Sequence, residues 1–153
     1  IPFAILNYFY SFDIPNANNG NFLMAFFILI WANDTGAYII GSLIGKHRFF
    51  ERISPKKSWE GFWGGLFFSM IIGYFINDYF EFLPLTAWLG LNLMIVLSAS
   101  FGDLAESMIK RNLGIKDSGK ILPGHGGILD RFDAVIFSSP FVFIYLQLFN
   151  YLK

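Results

Sequence analysis

Hydrophobic positions along the chain fall in long blocks, not in the alternation of strands or the single stripe of a soluble helix. Residues 1–12 (IPFAILNYFYSF) are apolar but too short to cross a bilayer, which takes about 20 residues. They read as the end of an earlier helix. Residues 13–21 (DIPNANNGN) consist of turn formers and predict a polar loop. Residues 22–45 make the first full span, with Asn33, Asp34 and Thr35 deep inside it. Residues 46–60 (KHRFFERISPKKSWE) predict a basic loop, and residues 61–80 a second span whose Gly61, Gly64, Gly65 and Gly73 suit close helix packing in lipid. A short turn at 81–84 leads to a third helix over 85–111, longer than a membrane requires. Residues 112–127 form a second polar loop, and a fourth helix runs from 128 to about 152.

This pattern predicts an all-α, polytopic integral membrane helix bundle with about four full transmembrane helices plus the end of an earlier one. It forms a single membrane domain over residues 1–153. The chain opens at Ile1 without a basic leader or cleavage site, which reads as an excerpt of a longer protein and not as a signal peptide.

Composition strengthens the membrane reading. Apolar residues make up 55% and charged residues 14%, against about 45–50% and about 25% in soluble domains. Twenty phenylalanines exceed what a small core can hide. The absence of cysteine excludes disulfides, thiolate metal sites and cysteine nucleophiles. A net charge of zero gives no basis for a nucleic-acid partner.

The distribution of charge says more. Loops 46–60 and 110–131, on the same side under four consecutive spans, hold ten of the eleven Lys and Arg. Loops 13–21 and 81–84 hold none. Positive loops stay in the cytoplasm, so both basic loops are expected there.

The densest charge lies between Gly102 and Asp133 (GDLAESMIKRNLGIKDSGKILPGHGGILDRFD). Asp103 stands near the cytoplasmic end of one helix, and Asp130 and Asp133, three apart and so on one face, near the start of the next. Three carboxylates at one depth repel unless a cation sits between them, and oxygen ligands suit Mg²⁺ or Mn²⁺. The competing reading is a set of interfacial ion pairs, Asp130–Arg131 and Glu106–Lys110. Lys110, Arg111, Lys116 and Lys120 surround the acids, followed by Pro123-Gly124-His125-Gly126-Gly127 at a helix start. Glycine amides and a helix N-terminus favour an anion; alone, such residues would only flank anionic lipid. His125 could donate to a phosphate, act as an acid or satisfy a turn carbonyl.

Two further clusters stand out. Ser54, Lys56, Lys57, Ser58 and Glu60 combine phosphate-binding lysines with helix-capping residues. Asn33, Asp34 and Tyr38 place an ionisable group at mid-membrane, a functional signal by default. Asp34 is expected to line a polar cavity open to the cytoplasm.

These stretches together resemble the phosphatidate cytidylyltransferase (CDP-diacylglycerol synthase) family. The resemblance rests on Ser107-Met108-Ile109-Lys110-Arg111, Lys116-Asp117, Pro123 to Gly127 and Asp130-Arg131-Phe132-Asp133, about 27 residues with the family's spacings. WANDTGAY at Trp31–Tyr38 and SPKKSWEG at Ser54–Gly61 are similar to further family stretches, with Ser58 where the family more often has threonine. The resemblance implies the C-terminal catalytic part of a longer multi-pass enzyme, since members of the family carry several more membrane helices upstream. It implies transfer of the cytidylyl group of CTP to phosphatidate in the bilayer, giving CDP-diacylglycerol and pyrophosphate. It further implies a divalent metal, Mg²⁺ or Mn²⁺ with room for a second cation, a homodimer, and a bacterial inner membrane with the site facing the cytoplasm.

On that reading Asp103 and Asp130 are the first expected metal ligands and Asp133 the third. Lys110, Arg111, Lys116, Lys120 and Arg131 are candidates for the triphosphate, supported by Gly124, Gly126, Gly127 and His125. Asp117 belongs to the same motif, and Lys56 and Lys57 would hold a phosphate of either substrate. Two other enzymatic or transport readings compete: a CTP-dependent polyprenol- or phytol-type lipid kinase, and a transporter using Asp34. A lipid-binding scaffold is the non-catalytic alternative.

Overall fold

One helix shows how this chain is built for lipid. Along Trp59–Phe80 the buried positions are Gly61, Gly65, Ser69, Gly73 and Asn77, every fourth residue and all small or polar. The opposite face exposes Trp63, Phe67, Ile71 and Phe75. Small groups inside and large apolar groups outside invert the soluble pattern and suit helix packing within a bilayer.

The computed structural model describes residues 2–10, 20–50, 54–115 and 129–149, without the side chains of residues 50, 55, 56 and 129–131. Its helices are α1 (Pro2–Tyr10), α2 (Asn21–Ile44), α3 (Trp59–Phe80), α4 (Leu85–Asn112) and α5 (Leu129–Leu148). At about 1.5 Å per residue, the 24 residues of α2 and 28 of α4 exceed the roughly 30 Å hydrocarbon core of a bilayer. Among the described residues, α2 and α4 are the two helices both long and apolar enough to cross a membrane. The fold is an all-α membrane helix bundle.

The expected basic loop at 46–60 is more ordered than its charges suggest. Strands β1 (Arg48–Phe50) and β2 (Ser54–Ser58) pair antiparallel, Arg48 opposite Ser58 and Phe50 opposite Ser54, with an irregular register between. An isolated two-stranded ribbon is marginal in water. This one is anchored because Phe49 packs on Trp59 and Phe62, with ring centroids 4.1 and 5.8 Å apart. It is also tied to the start of α3: the Trp59 amide donates to the His47 carbonyl (3.0 Å), and His47 Nδ1 lies 2.6 Å from Glu60 Oε1.

Glycines set the distance between α2 and α3. A Cβ on Gly36 would lie 2.6 Å from the Phe68 Cβ, and one on Gly65 would lie 2.6 Å from the Asn33 carbonyl oxygen and 2.8 Å from its side-chain oxygen. Gly102 does the same for α4 and α5, where a Cβ would meet the Phe137 Cβ at 2.5 Å. Within α5, Pro140 has no N–H to give the Ile136 carbonyl; the Ser139 hydroxyl donates to it instead at 3.4 Å.

Several polar groups inside the bundle pair with one another. The Ser69 hydroxyl donates to Asn92 Oδ1 (2.8 Å), and the Asn92 amide donates to the Ser69 carbonyl (2.9 Å). Trp88 Nε1 donates to the Gly73 carbonyl at 2.8 Å. Asn77 closes the α3–α4 turn, donating to the Leu83 carbonyl and accepting from its amide.

Candidate active site

The site begins with what each helix end must bury. Ser58 ends β2 and caps α3, its buried hydroxyl accepting from the Gly61 amide at 3.1 Å. This cap fixes where the ribbon meets the helix and so where the preceding residue, Lys57, points. Its ammonium forms an ion pair with Asp103 Oδ2 on α4. The pair therefore joins the ribbon to a helix on the far side of a cavity.

That cavity, about 360 Å³, is walled by α2 through Asn33, Asp34 and Tyr38, by the ribbon and α3 through Phe49, Lys57, Ser58 and Phe62, and by α4 and α5 through Ser100, Asp103 and Asp133. Asp34 opens onto it, beside the Asn33 amide and within electrostatic reach of Lys57 and Asp103. Asn33 is buried, and the bare Gly65 makes the room for it.

Beside the cavity lie three carboxyl groups. One oxygen each of Asp103, Glu106 and Asp133 lies within 4.8 Å of the other two. Gly102 explains the approach: the close contact of α4 with Phe137 draws in Asp133, one turn earlier on α5. At an effective dielectric near 20, two charges at that distance repel by roughly 3 kcal/mol. Partial relief comes from Lys57 on Asp103 and from Lys110, whose Nζ lies 3.3 Å from Glu106 Oε2. The Ser107 hydroxyl donates to Asp103 Oδ1 at 3.4 Å, and the Ala134 amide donates to Asp133 Oδ1 at 2.6 Å. Among the described residues, neither oxygen of Glu106 accepts a hydrogen bond although both are buried.

Such a donor set fits a hard divalent cation. All three donors are carboxylate oxygens, and no two of them are more than 4.8 Å apart, close to the roughly 4 Å across two oxygens each 2.0–2.1 Å from one Mg²⁺. A cation there would also meet Glu106 Oε1, which is buried and has no hydrogen-bond donor among the described residues.

Seven expected site residues thus gather at one cavity: Asn33, Asp34, Tyr38, Lys57, Ser58, Asp103 and Asp133. Others sit elsewhere. Glu60 turns to His47, whose backbone amide it also accepts at 3.2 Å, and Ser54 begins β2 away from the cavity lining. Lys110 pairs with Glu106, and Arg111 is exposed in the last turn of α4. Lys116, Asp117, Lys120, Gly124, His125, Gly126 and Gly127 lie outside the described residues, as do the side chains of Lys56, Asp130 and Arg131. The residue that sequence reasoning passed over is Glu106. Its signal was present, since it follows Asp103 by three and so shares its face, but its i+4 neighbour Lys110 already accounted for it as an ion pair.

The sequence pattern of the cytidylyltransferase family matches residues 1–149. The phosphatidate cytidylyltransferase of Staphylococcus aureus (strain COL) is 47% identical over 128 residues, 82% of this chain and 49% of the relative. That of Staphylococcus haemolyticus (strain JCSC1435) is 46% identical over 141 residues, 91% of this chain and 53% of the relative. The chain spans about half the length of the curated relatives it matches. Bacterial relatives, the inverted face of α3 and two helices long and apolar enough to cross a membrane mark a membrane protein of bacterial kind. The extent of the match carries the assignment: the chain belongs to the cytidylyltransferase family.

Proposed function

We propose that the protein to which this chain belongs transfers the cytidylyl group of CTP to phosphatidate, releasing pyrophosphate and leaving CDP-diacylglycerol in the bilayer. One observation carries the reading to this chain: Lys57, Asp103 and Asp133 line one cavity, and Glu106 completes a carboxylate triangle beside it. The family match and the names of the relatives support the same chemistry.

In this reaction a phosphate oxygen of phosphatidate attacks the α-phosphorus of CTP. A new P–O bond forms there, the bond between the α-phosphorus and the bridging oxygen breaks, and pyrophosphate leaves with the electron pair. The attacking oxygen is already anionic near neutral pH, so no strong base is required. The barrier is the repulsion of two anions and the charge growing on the leaving group, which positioning and cationic groups lower.

Asp103, Glu106 and Asp133 would hold one Mg²⁺ or Mn²⁺, with Asp130 a further candidate. When bound, such an ion supplies neutralisation of phosphate oxygens. Lys57 neutralises a substrate phosphate from the ribbon side of the cavity. Lys110, Arg111, Lys116, Lys120 and Arg131, with the Gly124–Gly127 turn, are proposed to receive the triphosphate and the departing pyrophosphate. Acyl chains stay in lipid between helices, which accounts for a nucleotide reaction inside a membrane bundle. The charge asymmetry of the loops supports a site facing the cytoplasm of a bacterial inner membrane, and the working unit is proposed to be a homodimer.

The test is pyrophosphate release by the full-length protein with CTP, phosphatidate and Mg²⁺, with each component omitted in turn. Release that needs all three supports the reading. Formation of CDP in place of pyrophosphate would assign kinase chemistry instead, and ion flux without nucleotide would assign transport.

A further inference from the structure

The Lys57–Asp103 ion pair raises a question of occupancy. Asp103 is one corner of the carboxylate triangle, yet its Oδ2 is held by an ammonium group that arrives from another element. A divalent cation among the three acids would stand close to that ammonium and repel it, and the two would compete for the same carboxylate. Lys110 meets the same competition at Glu106, but from a different position. It sits one turn from Glu106 on the same helix and forms a local i,i+4 pair. Lys57 instead bridges β2 and α4 in the wall of the cavity, with its side chain about one-third exposed, and a second acid, Asp34, lies within its electrostatic reach. A four-carbon stem lets a lysine head group swing between partners.

We propose that Lys57 is a resident counter-cation, holding Asp103 until a divalent cation takes the carboxylates and then turning to a substrate phosphate in the cavity. The proposal rests on the reading that the three acids take such a cation. It gives one side chain two successive partners, which makes opposite demands on the two binding steps. While paired with Asp103, Lys57 opposes metal binding. Once released, it favours phosphate binding. A lysine that merely braces the ribbon against α4 would help both steps or neither.

The experiment titrates Mn²⁺ into the full-length protein in detergent, without nucleotide or lipid, and reads free Mn²⁺ by electron paramagnetic resonance. The variants are Lys57→Met, Lys57→Gln and Lys57→Arg, each checked for wild-type elution and unfolding temperature. Removing a partly exposed ion pair and its repulsion of the metal should tighten Mn²⁺ binding about fivefold in the two neutral variants. Lys57→Arg, which keeps the charge, should stay within about twofold of wild type. At saturating Mn²⁺, the same neutral variants should raise the KM of CTP or of phosphatidate about fivefold or more, and the substrate affected identifies which phosphate Lys57 meets. Unchanged or weaker Mn²⁺ binding in folded neutral variants overturns the proposal, as does an unchanged KM for both substrates. Failure of the wild-type protein itself to bind Mn²⁺ would instead remove the metal reading on which the proposal rests. Two neutral variants are included so that misfolding of one leaves the other to decide.

Discussion

At the end of the bundle where α1, α2 and the α3–α4 turn meet, Phe9, Phe22, Phe26, Phe82 and Trp88 are no more than 3% exposed. Their rings meet edge to face or stacked, with Phe82 and Trp88 centroids 5.1 Å apart, and the one indole N–H is satisfied by the Gly73 carbonyl. At the other end, Asp103, Glu106 and Asp133 crowd together beside a cavity of about 360 Å³, and the buried oxygens of Glu106 lack hydrogen bonds among the described residues. The first region is dry, packed and fully bonded, as an apolar interior must be to be stable. The second retains like charges that packing alone would never assemble. Stability therefore resides at one end and chemistry at the other, and substitutions at the two ends should separate the two properties.

Trp88→Ala is expected to have the largest effect. It opens a cavity among the four remaining aromatic rings and removes the indole donor of the Gly73 carbonyl, a loss of about 3–5 kcal/mol. Denaturation in detergent should report it, while the turnover of the protein that remains folded stays near wild type. Asp103→Asn should do the reverse. Removing one corner of the carboxylate triangle should cut CTP-dependent turnover about a hundred- to a thousandfold without lowering the unfolding temperature, because it also relieves repulsion. If both variants lose stability and turnover together, the division between the two ends is wrong.

Gly36→Val probes the junction between the regions. A Cβ there lies 2.6 Å from that of Phe68, so α2 and α3 must separate, at a cost of about 1–3 kcal/mol. Because α2 also carries Asn33 and Asp34, this variant should lose both stability and turnover, measurable by parallel denaturation and activity curves. Ser58→Ala should have a smaller effect, about 1 kcal/mol for the lost cap. The same change loosens the turn that aims Lys57, so a modest rise in the KM of a phosphate-bearing substrate should accompany it.

The contrast also explains what the sequence could disclose. Helices α2, α3 and α4 begin and end within two residues of expectation because hydropathy, turn residues and a serine cap all act locally. Asn33, Asp34, Lys57 and Asp103 were recognisable one by one, since each is a polar or charged residue where lipid or helix packing would not choose it. Two features were not. The ribbon at Arg48–Ser58 was hidden by its charges, and only the packing of Phe49 on Trp59 and Phe62 accounts for it. Glu106 was hidden by Lys110, a sufficient local partner. Its approach to Asp133 depends on how closely α5 rides over Gly102, a tertiary distance with no local signature.

Glu106 is therefore the most direct test of the claim that this end of the bundle is built around a divalent cation. The measurement is the Mn²⁺ dependence of turnover in the full-length Glu106→Gln variant, at fixed CTP and phosphatidate. Loss of one carboxylate donor should raise the Mn²⁺ concentration for half-maximal turnover at least about tenfold, with no fall in unfolding temperature. A Mn²⁺ dependence identical to wild type would contradict the account.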